Sequence, residues 1–318
     1  MTMHTSAVPA LPERNVLVSF LLFILVAGGA SVAIRITYGE LAPFWSATAR
    51  FLIGALVFWI LVAVRKLALP KGRALLGAIV FGALTVGFAF LLAAWALVVI
   101  PASLYQILMA LVPLLTLFLS ALQGLESITW RGILGGLLAV AGILVTVGGT
   151  RSSDISIPHI IAILVAAVFM AEGGVVIKKF PPNPPVVTNA IAMTTGSIIL
   201  GTASLVRGEQ WTFPTQTDTI LAFVYLVVFV TIVAFLLYMS VLGKWTASGT
   251  SYGFVIIPLV TIIVAGTLAG EEITINFLFG AVLVLGGIYI GALMPSKTKQ
   301  SEIEECKDRA GQVLPRCT

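Results

Sequence analysis

Long apolar segments separated by short polar ones run through almost the whole chain. Ten such segments span roughly 16–34, 43–64, 74–98, 101–122, 131–149, 157–177, 186–206, 219–243, 247–269 and 274–294. Each is close to the roughly 20 residues with which a helix crosses the bilayer core. The stretch from Ala74 to Leu125 holds no charged residue over 52 positions, so it must contain two spans, divided at Pro101. Short breakers lie between the segments, among them Tyr38-Gly39-Glu40, Arg65 to Arg73, Glu126-Ser127, Arg151 to Asp154 and the Pro181-Pro182-Asn183-Pro184-Pro185 turn. Connections this short predict that consecutive helices lie side by side and antiparallel. Residues 1–15 read as a flexible lead-in, and 295–318 as a polar, mixed-charge tail that cannot bury a core.

The pattern repeats with an offset of 145 residues and no gap. Ala102, Ser103, Pro113, Leu114, Thr116, Glu126, Ile128, Thr129, Gly135, Leu138, Gly142 and Ile143 all meet an identical residue in the second copy, and Gly28-Gly29 meets Gly173-Gly174. A self-match this long implies an internal duplication. The expected organisation is a first five-helix repeat over 16–149, a linker over 150–159 and a second repeat over 160–294. Five is an odd number, so the second repeat must enter the membrane inverted relative to the first. Such repeats place a substrate site near the bilayer midplane between the halves.

Composition strengthens this picture. With 59% hydrophobic and 10% charged residues, the chain lies far from the roughly 45–50% and 25% of soluble domains. It reads as an all-α, multi-pass membrane protein. The segment from Val16 to Ile34 lacks a small-x-small cleavage site, which makes it a retained first helix and not a signal peptide. Eleven Lys and Arg residues (Arg14, Arg65, Lys66, Lys71, Arg73, Arg131, Lys178, Lys179, Lys244, Lys297, Lys299) fall on one side against three (Arg35, Arg151, Arg207) on the other. That bias predicts both termini in the cytoplasm, in an inner or cell membrane. The basic residues are scattered between spans and form no single patch, so nucleic acid is not an expected partner. Cys306 and Cys317, in the tail, show no metal or redox spacing.

Candidate chemistry begins with Pro113 and Pro258, each about twelve residues into its span. A mid-helix proline deprives one carbonyl of its partner, a cost tolerated where the bend faces protein or a water-filled cavity. One helical stripe leading to each proline is polar: Ser103, Gln106 and Ala110 before Pro113, and Ser248, Ser251 and Val255 before Pro258. Tyr252, like Tyr105, flanks these stripes, while Trp95 and Tyr238 stand in the preceding helices. The two prolines read as hinges, and Ser103, Gln106, Ser248, Ser251, Tyr252, Trp95 and Tyr238 as candidate substrate contacts. For the aromatics the alternative is packing, and for the prolines a packing kink.

Helix ends excluded, two charges lie within spans. Arg50 stands seven residues into the second and Glu172 about fifteen into the sixth, where insertion costs at least about 2.5–3.5 kcal/mol and implies a partner or a role. Arg50 either binds an anionic substrate group or caps neighbouring carbonyls. Glu172 is the candidate coupling residue for a proton, the alternative being a pairing with Lys178 or Lys179. Its counterpart in the first repeat is Ala27, so the scaffold does not require an acid there. Glu126 and Glu271 are symmetric, and inversion sets them about one membrane thickness apart. They either cap the next helix through Thr129 or Thr274, or gate one face each.

Two five-span halves, Ala-Ser followed ten residues later by a mid-helix Pro, a Glu thirteen beyond it and a Gly-rich fifth helix resemble the drug/metabolite transporter superfamily, specifically its EamA-type ten-span branch. Pro43 followed by Arg50-Phe51 also resembles that family's first half; the second half departs from it, with Ala192-Met193 after Pro185. The resemblance covers about 280 residues. It implies a carrier moving small metabolites, often exporting amino acids or drug-like compounds. The two inverted halves make a secondary transporter working by alternating access in the lipid bilayer the expected mechanism, with protons as a candidate coupling ion through Glu172 and no cofactor. A facilitative channel or uniporter is the alternative. A membrane enzyme would need a catalytic cluster at one depth, and His4 and His159 stand apart from any such group; no phosphate-binding Gly-x-x-x-x-Gly-Lys-Ser/Thr is present.

Overall fold

The computed structural model describes residues 14–124, 130–148, 156–245, 250 and 253–290, and among them every regular element is helical. Eight helices have the length and apolarity to cross a bilayer: α1 (Asn15–Thr37), α2 (Pro43–Val64), α3 (Gly72–Ala96), α4 (Ala102–Leu122), α5 (Trp130–Gly148), α6 (Ile157–Ile177), α7 (Pro185–Val206) and α8 (Thr217–Lys244). Two shorter apolar helices follow, α9 (Gly253–Leu268) and α10 (Ile275–Ile288). Large aliphatic side chains such as Leu25, Leu56, Leu137 and Val282 point outward. A surface this apolar is suited to lipid, and the chain is a multi-pass integral membrane protein.

The inversion of the halves can be read from one helix pair. A Cβ added to Gly142 on α5 would come within 2.5 Å of the Val284 N and 2.8 Å of the Gly280 O on α10. One added to Gly287 would come within 2.6 Å of the Gly135 O and 2.7 Å of the Ala139 N. The 145-residue offset converts the first contact into the second, with the two helices exchanged. Because Gly135 opposes Gly287 and Gly142 opposes Gly280, these equivalent helices run antiparallel, as inverted repeats require. Small residues are needed at this seam because backbone meets backbone.

A second pair obeys the same symmetry. Gly54 on α2 leaves room for Thr231 of α8, and Gly196 on α7 leaves room for Val86 of α3; the two glycines stand at the same place in helices that both open on a proline, and Val86 and Thr231 are 145 residues apart. Both α3 and α8 widen into π-helical turns at corresponding places, Gly82–Phe88 and Leu226–Ala234. Such bulges recur where a helix must re-aim side chains at a site. The Thr85 hydroxyl donates to the Phe81 carbonyl at 2.6 Å within the first of them.

Two further helices are broken. In α1 the helix is interrupted at Gly29, and side chains of the second half meet nearby carbonyls: Tyr225 donates to Val26 at 2.5 Å and Thr261 to Gly28 at 2.6 Å. In α4 the break falls at Ala110 and Leu111, and Pro113 sits in the first turn of the segment that follows. Its counterpart Pro258 lies inside a helix that continues through it, so the two prolines differ in local structure despite their symmetric positions.

Candidate functional site: a cavity between the halves

A cavity holding about 790 Å³ of empty space, its mouth included, lies where the helices of the two halves meet. Its wall takes Phe23, Ala27, Ala30, Ser31 and Ile34 from α1, Arg50 from α2, Phe81, Thr85 and Phe90 from α3, and Tyr105, Gln106 and Met109 from α4. The second half supplies Met170 from α6, Val230, Ala234, Phe235 and Tyr238 from α8, and Phe254 and Ile257 from α9. Two symmetry-related pairs, Thr85 with Val230 and Phe90 with Phe235, face it from the two bulged helices. Helices α5, α7 and α10 contribute none of these residues.

Arg50, Gln106 and Tyr238, separated by up to 188 positions in sequence, are thus brought to one cavity. Arg50 is only 2% exposed, and its guanidinium carbon lies 4.4 Å from the centre of the Phe51 ring and 5.1 Å from that of Phe90. Its Nε has no hydrogen-bond partner among the described residues. The rings offset some of the cost of burying the cation, but no carboxylate among the described residues lines the cavity with it.

Other candidates stand elsewhere. Trp95 packs on His159, ring centres 4.3 Å apart, away from the cavity wall. Ser103, expected on the polar stripe beside Gln106, is drawn to the first turn of α4, where its hydroxyl donates to Glu271 at 2.6 Å. Glu172 is outside the cavity wall and accepts a hydrogen bond at 2.8 Å from the Gln123 amide at the end of α4. Lys178, weighed as its partner, donates instead to the Trp245 carbonyl at 2.8 Å and to that of Leu242. Glu126, Ser248, Ser251 and Tyr252 lie outside the described residues.

Glu271 does more than was read from its place beside α10. Thr274 caps that helix, its hydroxyl accepting from the Phe277 N–H at 3.1 Å. The Glu271 carboxylate reaches into the other half and accepts from the N–H groups of Ala102 at 2.7 Å and Ser103 at 3.1 Å. Two more carboxylates act in the same way on the same face. Glu209 accepts from Phe44 and Trp45 N–H at 3.2 and 2.8 Å and from the Ser204 hydroxyl at 2.8 Å. Glu40 accepts from Thr215 N–H at 2.7 Å, from Gln216 N–H at 3.2 Å and from the Thr215 hydroxyl. The first N–H groups of a helix lack intrahelical partners and carry its positive end, so a carboxylate is well matched to them. Each of the three carboxylates belongs to one half and reaches the other: Glu271 and Glu209 hold the first turns of α4 and α2, and Glu40 holds the two residues before α8. Beside Glu209, Trp45 and Trp211 stack with centres 4.5 Å apart, and the Trp45 indole donates to the Thr212 carbonyl at 2.7 Å.

The cavity's aromatic and methionine wall escapes sequence reasoning, since an apolar side chain in a span gives no sign of whether it faces lipid, a neighbouring helix or a cavity. The three carboxylate clamps had a fainter signal, an acid beside an apolar segment, but only the fold shows that they join opposite halves.

Comparison with known proteins agrees with this architecture. The family model of the EamA-like transporter family matches residues 15–148 and 157–292. An inner membrane transporter of Escherichia coli named YedA is 31% identical over 286 residues, covering 86% of this chain and 90% of the relative. A probable amino-acid metabolite efflux pump of Salmonella typhimurium is 28% identical over 282 residues, covering 85% and 92%. A solved crystal structure with 19% identity superposes with a TM-score of 0.66 over 88% of this chain and 97% of that one, which shows the shared fold.

Proposed function

Because the chain belongs to the EamA-like transporter family, its two halves each matched by the family model, we propose that it is a secondary carrier for small organic metabolites, working by alternating access. The observation that carries this reading is the cavity walled by both halves, together with three carboxylate clamps that tie those halves at one face, while Gln123 with Glu172 and Asn183 with the Ala74 carbonyl join them at the other. Rocking one half against the other would break the clamps and expose the cavity there, while closing it at the opposite face. The charge bias makes the clamped face the outer one, with both termini cytoplasmic. Family and relatives point to transport rather than catalysis, and the name of the Salmonella relative supports efflux of an amino-acid metabolite.

In this reading Arg50, Gln106 and Tyr238 contact substrate, and Glu172 with Gln123 serves proton coupling at the cytoplasmic end. Ser103 belongs to the outer clamp. The test is counterflow in proteoliposomes. Unlabelled substrate loaded on one side should accelerate entry of labelled substrate from the other, as a carrier requires; equal rates with and without loading would leave a pore or simple channel.

A further inference from the structure

Resting on the carrier reading, the cavity also limits the class of substrate. Arg50 is the one charged residue of its wall among the described residues. A guanidinium remains protonated at any physiological pH and presents a planar fork of donors matched to an oxyanion. Burying it without a counter-charge is costly, so such a group is retained where a partner arrives. Asn189 and Thr231 also hold buried side-chain atoms without partners, but neither lines the cavity. Arg50 does. The corresponding position of α7, which like α2 opens on a proline and runs for 22 residues, is Ala192, so the helix itself has no need of an arginine there.

Among the described residues the remainder of the wall is apolar apart from Ser31, Thr85, Gln106 and the two tyrosines, and none of them is an acid that could receive an ammonium. We infer that the transported molecule is an organic monoanion: an oxyanion end that docks on Arg50 and an aromatic or branched aliphatic body that fills the space between Phe81, Phe90, Phe235 and Phe254, without a compensating amine. A zwitterion would bring a second charge that the wall does not neutralise. A cation would be repelled by the first.

The experiment uses the purified full-length protein and three probes sharing a phenylpropyl body: 3-phenylpropanesulfonate, phenylalanine and 3-phenylpropylamine. The sulfonate stays ionised and so does not leak through lipid as a neutral acid. Calorimetric titration of the wild type should rank the sulfonate at least about tenfold tighter than phenylalanine, with the amine unbound, and Arg50→Gln should weaken the sulfonate by at least about tenfold. Should Arg50→Gln not fold, Arg50→Lys and the wild-type ranking decide. Phenylalanine or the amine outbinding the sulfonate, or sulfonate binding unchanged in a folded Arg50→Gln protein, overturns the inference. Counterflow separates it from the carrier reading. Exchange of phenylalanine with the sulfonate inert would overturn the anion class and leave the carrier; tight sulfonate binding without exchange would do the reverse. Neither binding nor exchange of any probe would overturn both.

Discussion

Glu172 and Gly142 show how differently two single residues constrain this molecule. The Glu172 carboxylate faces the Gln123 amide, not the cavity, so a coupling role would act through the end of α4 where that amide sits. Glu172→Gln should leave folding intact and abolish the dependence of transport on a pH gradient, measured in proteoliposomes with an imposed gradient; unchanged pH-driven uptake would remove Glu172 from the mechanism. Gly142 has no chemistry, but a side chain there would meet the α10 backbone. Gly142→Val should destabilise the protein by about 1–3 kcal/mol, read as a lower melting temperature in detergent. Arg50, Gln106 and Tyr238 were legible in the sequence because polar and amphipathic groups stand out in an apolar run. Trp95 and Ser103 were not placed by it, since His159 and Glu271, the groups that hold them, lie 64 and 168 residues away.

At the scale of elements, the ends of helices matter as much as their lengths. Ten spans could be counted from apolar runs alone, and the break in α4 from Pro113. The π-helical turns of α3 and α8 carry no breaker residue that would announce them, since Gly82 and Gly87 resemble many other membrane glycines. The carboxylate clamps give two measurable consequences. Glu271→Gln should weaken charge-assisted hydrogen bonds by about 1.5–3 kcal/mol. The expected outcome is a lower melting temperature and faster labelling of a Leu104→Cys side chain, which lines a pocket with Glu271 on the clamped face. Glu40 offers the pH test. Its carboxyl is held below the ordinary carboxylate range, first by the Thr215 hydroxyl and then by the Gln216 and Thr215 N–H groups. A depressed value in the folded state means that its contribution is complete above the ordinary carboxylate pKa of about 4.3 and is lost as the pH falls through the lower folded value. Melting temperature should therefore decline below about pH 4, and less so in Glu40→Gln.

For the whole molecule, the duplication was legible as a 145-residue offset and the inversion as an odd number of spans per copy. What that symmetry leaves out is function: Arg50 pairs with Ala192, and Glu172 with Ala27. The scaffold is two-fold while its chemistry is not. The glycine seam of α5 and α10 belongs wholly to the two-fold part, because equivalent positions meet one another across it. In the language of assembly it is an isologous interface, the kind by which two separate copies of one subunit recognise each other. The peptide link between the halves is then a tether and not the source of their fit. Two polypeptides divided between Gly148 and Ser156 and expressed together should find each other in the membrane and co-purify as one transporter. Replacing Gly142 with Leu in one fragment should prevent that meeting even where each fragment is inserted.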